Sequence, residues 1–121
     1  MQLLSGNQQM TVSTIVSGAI GLLYVYVPDG VTSLTVSGIA QRSVVSMTTI
    51  TLELQTRPGD GASSPVAEDS VVFDIDGALA TGDELTPLSI SLTPSAPGMY
   101  RFTALANAGA GSISCLQIHG E

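Results

Sequence analysis

The sequence predicts an all-β protein, an antiparallel β-sandwich or jelly roll of about eight strands. Three observations carry the prediction. Apolar and polar residues alternate in short runs, as where Leu23, Val25 and Val27 share one face and Tyr24 and Tyr26 the other. Turn chemistry separates those runs at fairly regular spacing. No helical periodicity is sustained over a full helix length. Many short strands with polar turns between them bury one face each against a second layer, which is the sandwich solution.

Each element follows from its own residues. Residues 1–8 are polar with an apolar start at Leu3 and Leu4 and read as an N-terminal arm, leaving 9–121 as a single domain. The first strand is expected at Met10–Ser17, with Val12 and Ile15 in opposite phase, and Gly18 and Gly21 end it. Leu22–Val27 is the second. Pro28-Asp29-Gly30 then turns the chain: proline presets φ, aspartate bonds its own backbone, and glycine accepts positive φ. In Val31–Ala40, Leu34 and Val36 share a phase that Ile39 breaks, which makes Gly38 a bulge site. The run Ser43–Thr56 is long for one strand. Val45 and Met47 are odd-numbered while Ile50, Leu52 and Leu54 are even-numbered, so it kinks near Thr48-Thr49 or leaves one sheet for another.

The stretch Arg57–Asp69 carries two prolines and two glycines and reads as the longest loop. Ser70–Asp76 is the next strand, with Val71, Phe73 and Ile75 inward. Gly77–Pro87 returns to turn chemistry, with room at Gly77-Ala-Leu-Ala-Thr for one helical turn. Leu88, Ile90 and Leu92 mark a further alternating strand. Pro94-Ser-Ala-Pro-Gly98 is a tight connection into Met99–Asn107, where Tyr100 and Phe102 share a face. Asn107-Ala-Gly-Ala-Gly111 leads to the last strand, Ser112–His119.

Charge excludes some functions. Charged residues are 11% of the 121 and the net charge is −7, against roughly 25% charged in ordinary soluble domains. There is no lysine, and Arg42, Arg57 and Arg101 are scattered. Nucleic-acid binding needs clustered cations to displace counterions, so no nucleic acid is expected as a partner, nor an anionic membrane. No stretch approaches the length of a membrane helix. One cysteine excludes an intrachain disulfide framework. The N-terminus lacks the basic n-region and long apolar core of a secretory signal. With a composition suited to exposed β-modules, that pattern fits a protein made in a cytoplasm and exposed later, as virion components are.

The string Val27-Pro-Asp-Gly-Val-Thr-Ser-Leu-Thr-Val36 resembles the "V-P-x-G-V-T-x-(aliphatic)-x-V" hairpin of phage tail-fibre and other exposed virion modules, and similar strings occur in bacterial surface β-domains. Ile39-Ala-Gln-Arg42 follows it in place of the usual glycine-rich run. Ala96-Pro-Gly-Met-Tyr-Arg-Phe102 is similar to the "P-G-x-Y-x-F" start of a late strand in Ig-like and jelly-roll modules. The two cover under a quarter of the chain. They imply a small accessory virion β-module and carry no functional residues with them.

Candidate sites are few. Glu68, Asp69, Asp74 and Asp76, with Asp83 and Glu84 beyond, form the densest acidic cluster. Asp74 and Asp76 at i, i+2 could converge on calcium. However, Gly77 stands at the fourth position of an EF-hand loop and not the sixth, and Ala78 and Leu79 fill the positions that need a ligand and the glycine. A solvated face opposite Val71, Phe73 and Ile75 is the preferred reading, so neither a metal nor another cofactor is expected. His119, beside the C-terminus, lacks a nucleophile motif and reads as a frayed or interface histidine. Cys115 shares phase with Ile113 and has no basic neighbour, so it reads as core. Tyr24 and Tyr26 are preferred as a subunit contact over a glycan platform.

The expected function is therefore non-enzymatic. So few charges on roughly 6,000 Å² of surface leave apolar patches that call for covering. Lysine, a common protector of edge strands, is absent. The sequence points to a virion protein bound to a capsid or tail surface, as a homo-oligomer with a trimer the working expectation. Tyr24, Tyr26, Leu3, Leu4, Arg57 and Pro58 are the expected contact residues. The alternative is a secreted or cell-surface adhesion module.

Overall fold

Period-two alternation places almost every core residue. In a computed structural model, residues 1–14, 22–56, 66–79 and 85–121 are described. They form strands β1 (Gln2–Val12), β2 (Leu22–Val27), β3 (Leu34–Arg42), β4 (Thr49–Thr56), β5 (Val66–Asp74), β6 (Leu85–Leu92), β7 (Gly98–Ala106) and β8 (Gly111–Gly120), with one helical turn, α1 (Ile75–Ala78), between β5 and β6. Two four-stranded sheets result, ordered β1-β8-β3-β6 and β2-β7-β4-β5. Every pairing between these strands is antiparallel. Each connection crosses from one sheet to the other except β4 to β5, which stay neighbours. This is the strand order of a jelly roll. It makes the fold an all-β sandwich, as the alternation and turn spacing predicted.

The inner faces close on each other. The first sheet contributes Met10 and Val12, Leu34 and Val36, Leu88 and Leu92, and Ile113, Leu116 and Ile118. The second contributes Val25 and Val27, Ile50, Leu52 and Leu54, and Tyr100, Phe102 and Ala104. Full burial of such side chains contributes about 1.5–3 kcal/mol each. Tyr100 keeps its polar end satisfied: its hydroxyl donates to the Ala96 carbonyl at 2.6 Å and accepts from the Ala96 amide at 3.2 Å. That bond braces the Pro94–Gly98 connection. The Pro28-Asp29-Gly30 turn forms as expected, with Gly30 at φ +89°.

Several expectations are corrected. The segment expected as an N-terminal arm is the first half of β1, with Gln2 opposite His119 and Leu4 opposite Ile118. Leu3 and Leu4 pack partly buried against the core. Those two leucines gain more from the core than from solvent, which ties the segment down. The first strand therefore ends at Val12, well before Ser17; Ile15 and Ser17 lie outside the described residues. The phase change in Ser43–Thr56 is a passage between sheets: β3 belongs to the first, β4 to the second, and 43–48 is the turn that joins them. Met47, at the end of that turn, is fully buried. Beside β4, β5 begins at Val66, inside the expected loop, and ends at Asp74. Ile75 is inward as expected, but from α1.

Gly38 marks a bulge, and the extra residue lies in β8. Between Ser37 and Ile39 the facing positions run from Gln117 to Ser114, three residues against two. Cys115 takes up the surplus at φ +54°. That single insertion reverses the alternation of β8, so Ile113 and Leu116 are both buried and Cys115 is exposed. The expectation that Cys115 sits in the core is thus overturned by one residue of register.

Candidate protein interface

The outer face of the second sheet carries five exposed apolar side chains, while Val44 and Val45 in the β3–β4 turn and Leu85 on β6 are exposed elsewhere. On β2, Tyr24 and Tyr26 point away from the core, at 47% and 59% exposure, while Val25 and Val27 are buried. Register aligns Tyr26 with Met99 and Tyr24 with Arg101 on β7, and Arg101 with Gln55 on β4. One row further, Thr103 faces Glu53, and Glu53 faces Ser70 on β5. Beyond that lie Leu105, Thr51 and Val72. Met99, Leu105 and Val72 are exposed like the two tyrosines. Apolar side chains therefore flank a polar centre.

That centre is wired internally. Arg101 Nε donates to Gln55 Oε1 at 2.7 Å, and Gln55 Nε2 donates in turn to Glu53 Oε1. The cation and the carboxylate are joined through one amide. Thr103 beside them is buried, at 4% exposure.

The first sheet presents a different outer face. Strands β1, β6 and β8 contain no Asp, Glu, Lys or Arg, and β3 contains only its terminal Arg42. Its outward rows mix hydroxyl and amide groups, such as Ser89, Ser37 and Gln117, with Ile39, Pro87 and the exposed Leu85. Apart from Glu121, which directly follows β8, the side-chain carboxylates of the described residues lie elsewhere, on β4, β5, α1 and the Pro28-Asp29-Gly30 turn.

The other predicted residues are held apart from the tyrosines or occupied. Leu3 and Leu4 serve the core from β1 and do not join the Tyr24–Tyr26 face. Arg57 and Pro58 lie outside the described residues, as do Asp83 and Glu84. Asp74 does not converge with Asp76. Its Oδ1 accepts from the Gly77 amide at 2.9 Å, capping α1, whereas Asp76 accepts from Arg42 at 2.8 Å. The polypeptide leaves the strand at Asp74, so the i, i+2 spacing no longer places the two carboxylates on one face. Asp69 accepts from the Ser70 and Thr93 amides, tying β5 to the connection after β6. His119 is not frayed. It sits in β8 between β1 and β3, with Nε2 3.2 Å from the Met1 amine.

Met99, Leu105 and Val72 were not among the expected contact residues. Their phase, opposite to Tyr100, Phe102 and Phe73, was the available signal. Only the pairing of β2, β7, β4 and β5 brings them to the tyrosines. No protein-family model matches this sequence, and no curated protein matches it as a relative.

Proposed function

We propose that the chain is a non-enzymatic structural protein of a virus particle, an accessory or decoration subunit that stabilises a shell through protein–protein contacts. The observation that carries this reading is the near absence of ionic side chains from the first sheet, beside a second sheet whose outer face exposes two tyrosines, a methionine, a leucine and a valine. Surfaces of that kind are contact surfaces. The fold is compatible, since jelly rolls recur in capsid proteins, though they recur in lectins too and fold alone assigns no role. Among the described residues, three candidate chemistry-bearing side chains have structural partners: Asp74 caps a helical turn, Asp76 meets an arginine, and His119 lies beside the terminal amine.

Such a subunit stabilises by binding the assembled shell and not its dissociated parts. At a free concentration of 100 times Kd this contributes about 2.7 kcal/mol per site, and repeated sites on a shell raise the avidity further. The test is co-sedimentation with capsid or tail particles of the phage that encodes the chain, followed by thermal disruption of loaded and bare particles. Loaded particles should disrupt at higher temperature. A chain left in the supernatant at every ratio would refute the reading.

The adjacent exposed tyrosines on β2 favour one second reading, an adhesion module that stacks sugars on Tyr24 and Tyr26. Glycan-array binding that disappears in both Tyr24→Ala and Tyr26→Ala would support it over the particle protein.

A further inference from the structure

We propose that the outer face of the second sheet pairs with the same face of a second copy across a two-fold axis. The proposal rests on the contact-protein reading above and names the partner of that face.

The pattern of the face is matched to itself. A two-fold axis lying across the strands at the level of Phe102 and Leu54 exchanges the row of Arg101 and Gln55 with the row of Thr103 and Glu53, because these rows are adjacent on β7 and β4. The guanidinium of each copy then meets the Glu53 row of the other. Met99 of one copy meets Leu105 of the other, since they sit at equal distances along β7 on either side of that level.

Charge selects this face for a copy of the same chain. Each copy carries −7, so most approaches bring like charges together. At the centre of this face one cation and one carboxylate lie in neighbouring rows, and apposition turns them into reciprocal attractions. A self-matched patch gives an isologous, closed pair. A three-fold ring would need two different complementary patches.

The footprint sets the strength. Four strands about 4.8 Å apart and some six residues of about 3.3 Å each project to about 400 Å². That is small against the roughly 800 Å² per partner of standard stable complexes. The pair is accordingly reversible and concentration-dependent.

Sedimentation equilibrium of the full chain over a concentration series tests the proposal. Wild type should fit a monomer–dimer equilibrium. Met99→Glu and Leu105→Glu should each weaken it about tenfold or more, while Ser89→Glu on the outer face of the first sheet should leave it unchanged. Arg101→Glu and Glu53→Arg should each be monomeric alone. Mixed in equal amounts they should recover the dimer, because each supplies the charge the other has reversed. Circular dichroism melts establish that every variant is folded. A wild type that stays monomeric throughout, a Ser89→Glu as damaging as Met99→Glu, or a folded mixture that fails to recover the dimer would each overturn the pairing. A monomer that still co-sediments with particles would remove the pairing and leave the particle reading intact. A dimer that binds no particle would do the reverse.

Discussion

At the scale of single residues, one inserted residue in β8 decides the environment of two side chains. A Cβ on Gly38 would sit 2.8 Å from the Ser114 carbonyl oxygen and 3.0 Å from Ile113 Cγ2. The first of these is backbone, held by the bulge, so it yields only if the bulge moves. Gly38→Ala should lose about 1–3 kcal/mol in urea unfolding, as overpacking does. Opposite it, Cys115 occupies the left-handed region, which disfavours side chains and β-branched ones most. Its exposed thiol should react fully with an aromatic disulfide reagent in the folded protein, without denaturant. Protection until unfolding would mean that the bulge is misplaced. The phase of Ile39 was a misleading signal: β3 keeps its alternation from Leu34 and Val36 through buried Ala40 and pairs with β6 without a shift, so Ile39 lies off the core and the extra residue expected at Gly38 stands in β8 instead. Pairing alone sets which strand takes it.

Among the elements, the β3–β4 turn shows how a passage between sheets is held. Arg42 Nη1 lies within hydrogen-bonding distance of the Val45 and Met47 carbonyls, at 3.4 Å and 3.1 Å, and of Asp76 Oδ1. Asn107 adds a second brace from the β7–β8 connection, with Oδ1 accepting from the Thr48 and Thr49 amides. The Arg42 side chain is 13% exposed and that of Asp76 54%, so the two ends of the ion pair differ in weight. Arg42→Met removes the donor from a partly buried carbonyl and should destabilise by about 1–3 kcal/mol. Asp76→Asn touches only the solvated end and should lose less than about 1 kcal/mol. Equal losses in the two variants, measured by chemical denaturation, would show that the ion pair and not the carbonyl contact matters. The phase change between Met47 and Ile50 announced this passage, but it named no brace. Arg42 and Asp76 stand 34 positions apart, and nothing in either neighbourhood points to the other.

For the whole molecule, the first and last strands are partners. β1 covers one side of β8 and β3 the other, so β8 loses half its hydrogen bonding without the N-terminal strand. Removing residues 1–8 should therefore lower the urea midpoint markedly, where deletion of a true arm would leave it unchanged. Pairing of chain ends is also non-local, and folding should run in the ms–s range of such β-topologies. Stopped-flow refolding in microseconds would contradict that dependence on distant strands.

What the sequence determined by itself was the local part. Alternation with period two marked which residues could face a core, and turn residues marked where strands stop. Tyr24 and Tyr26 were legible as one outward face for the same reason. The tertiary structure alone decided which strands pair, and with that the rest. It put Leu3 and Leu4 in the core side of β1, moved Cys115 to the surface, separated Asp74 from Asp76, and placed Met99, Leu105 and Val72 beside the tyrosines. The physical reason is that a side chain's phase is a property of its own strand, whereas its neighbours come from strands tens of residues away. A single bulge or sheet crossing changes those neighbours without leaving a mark in the local pattern.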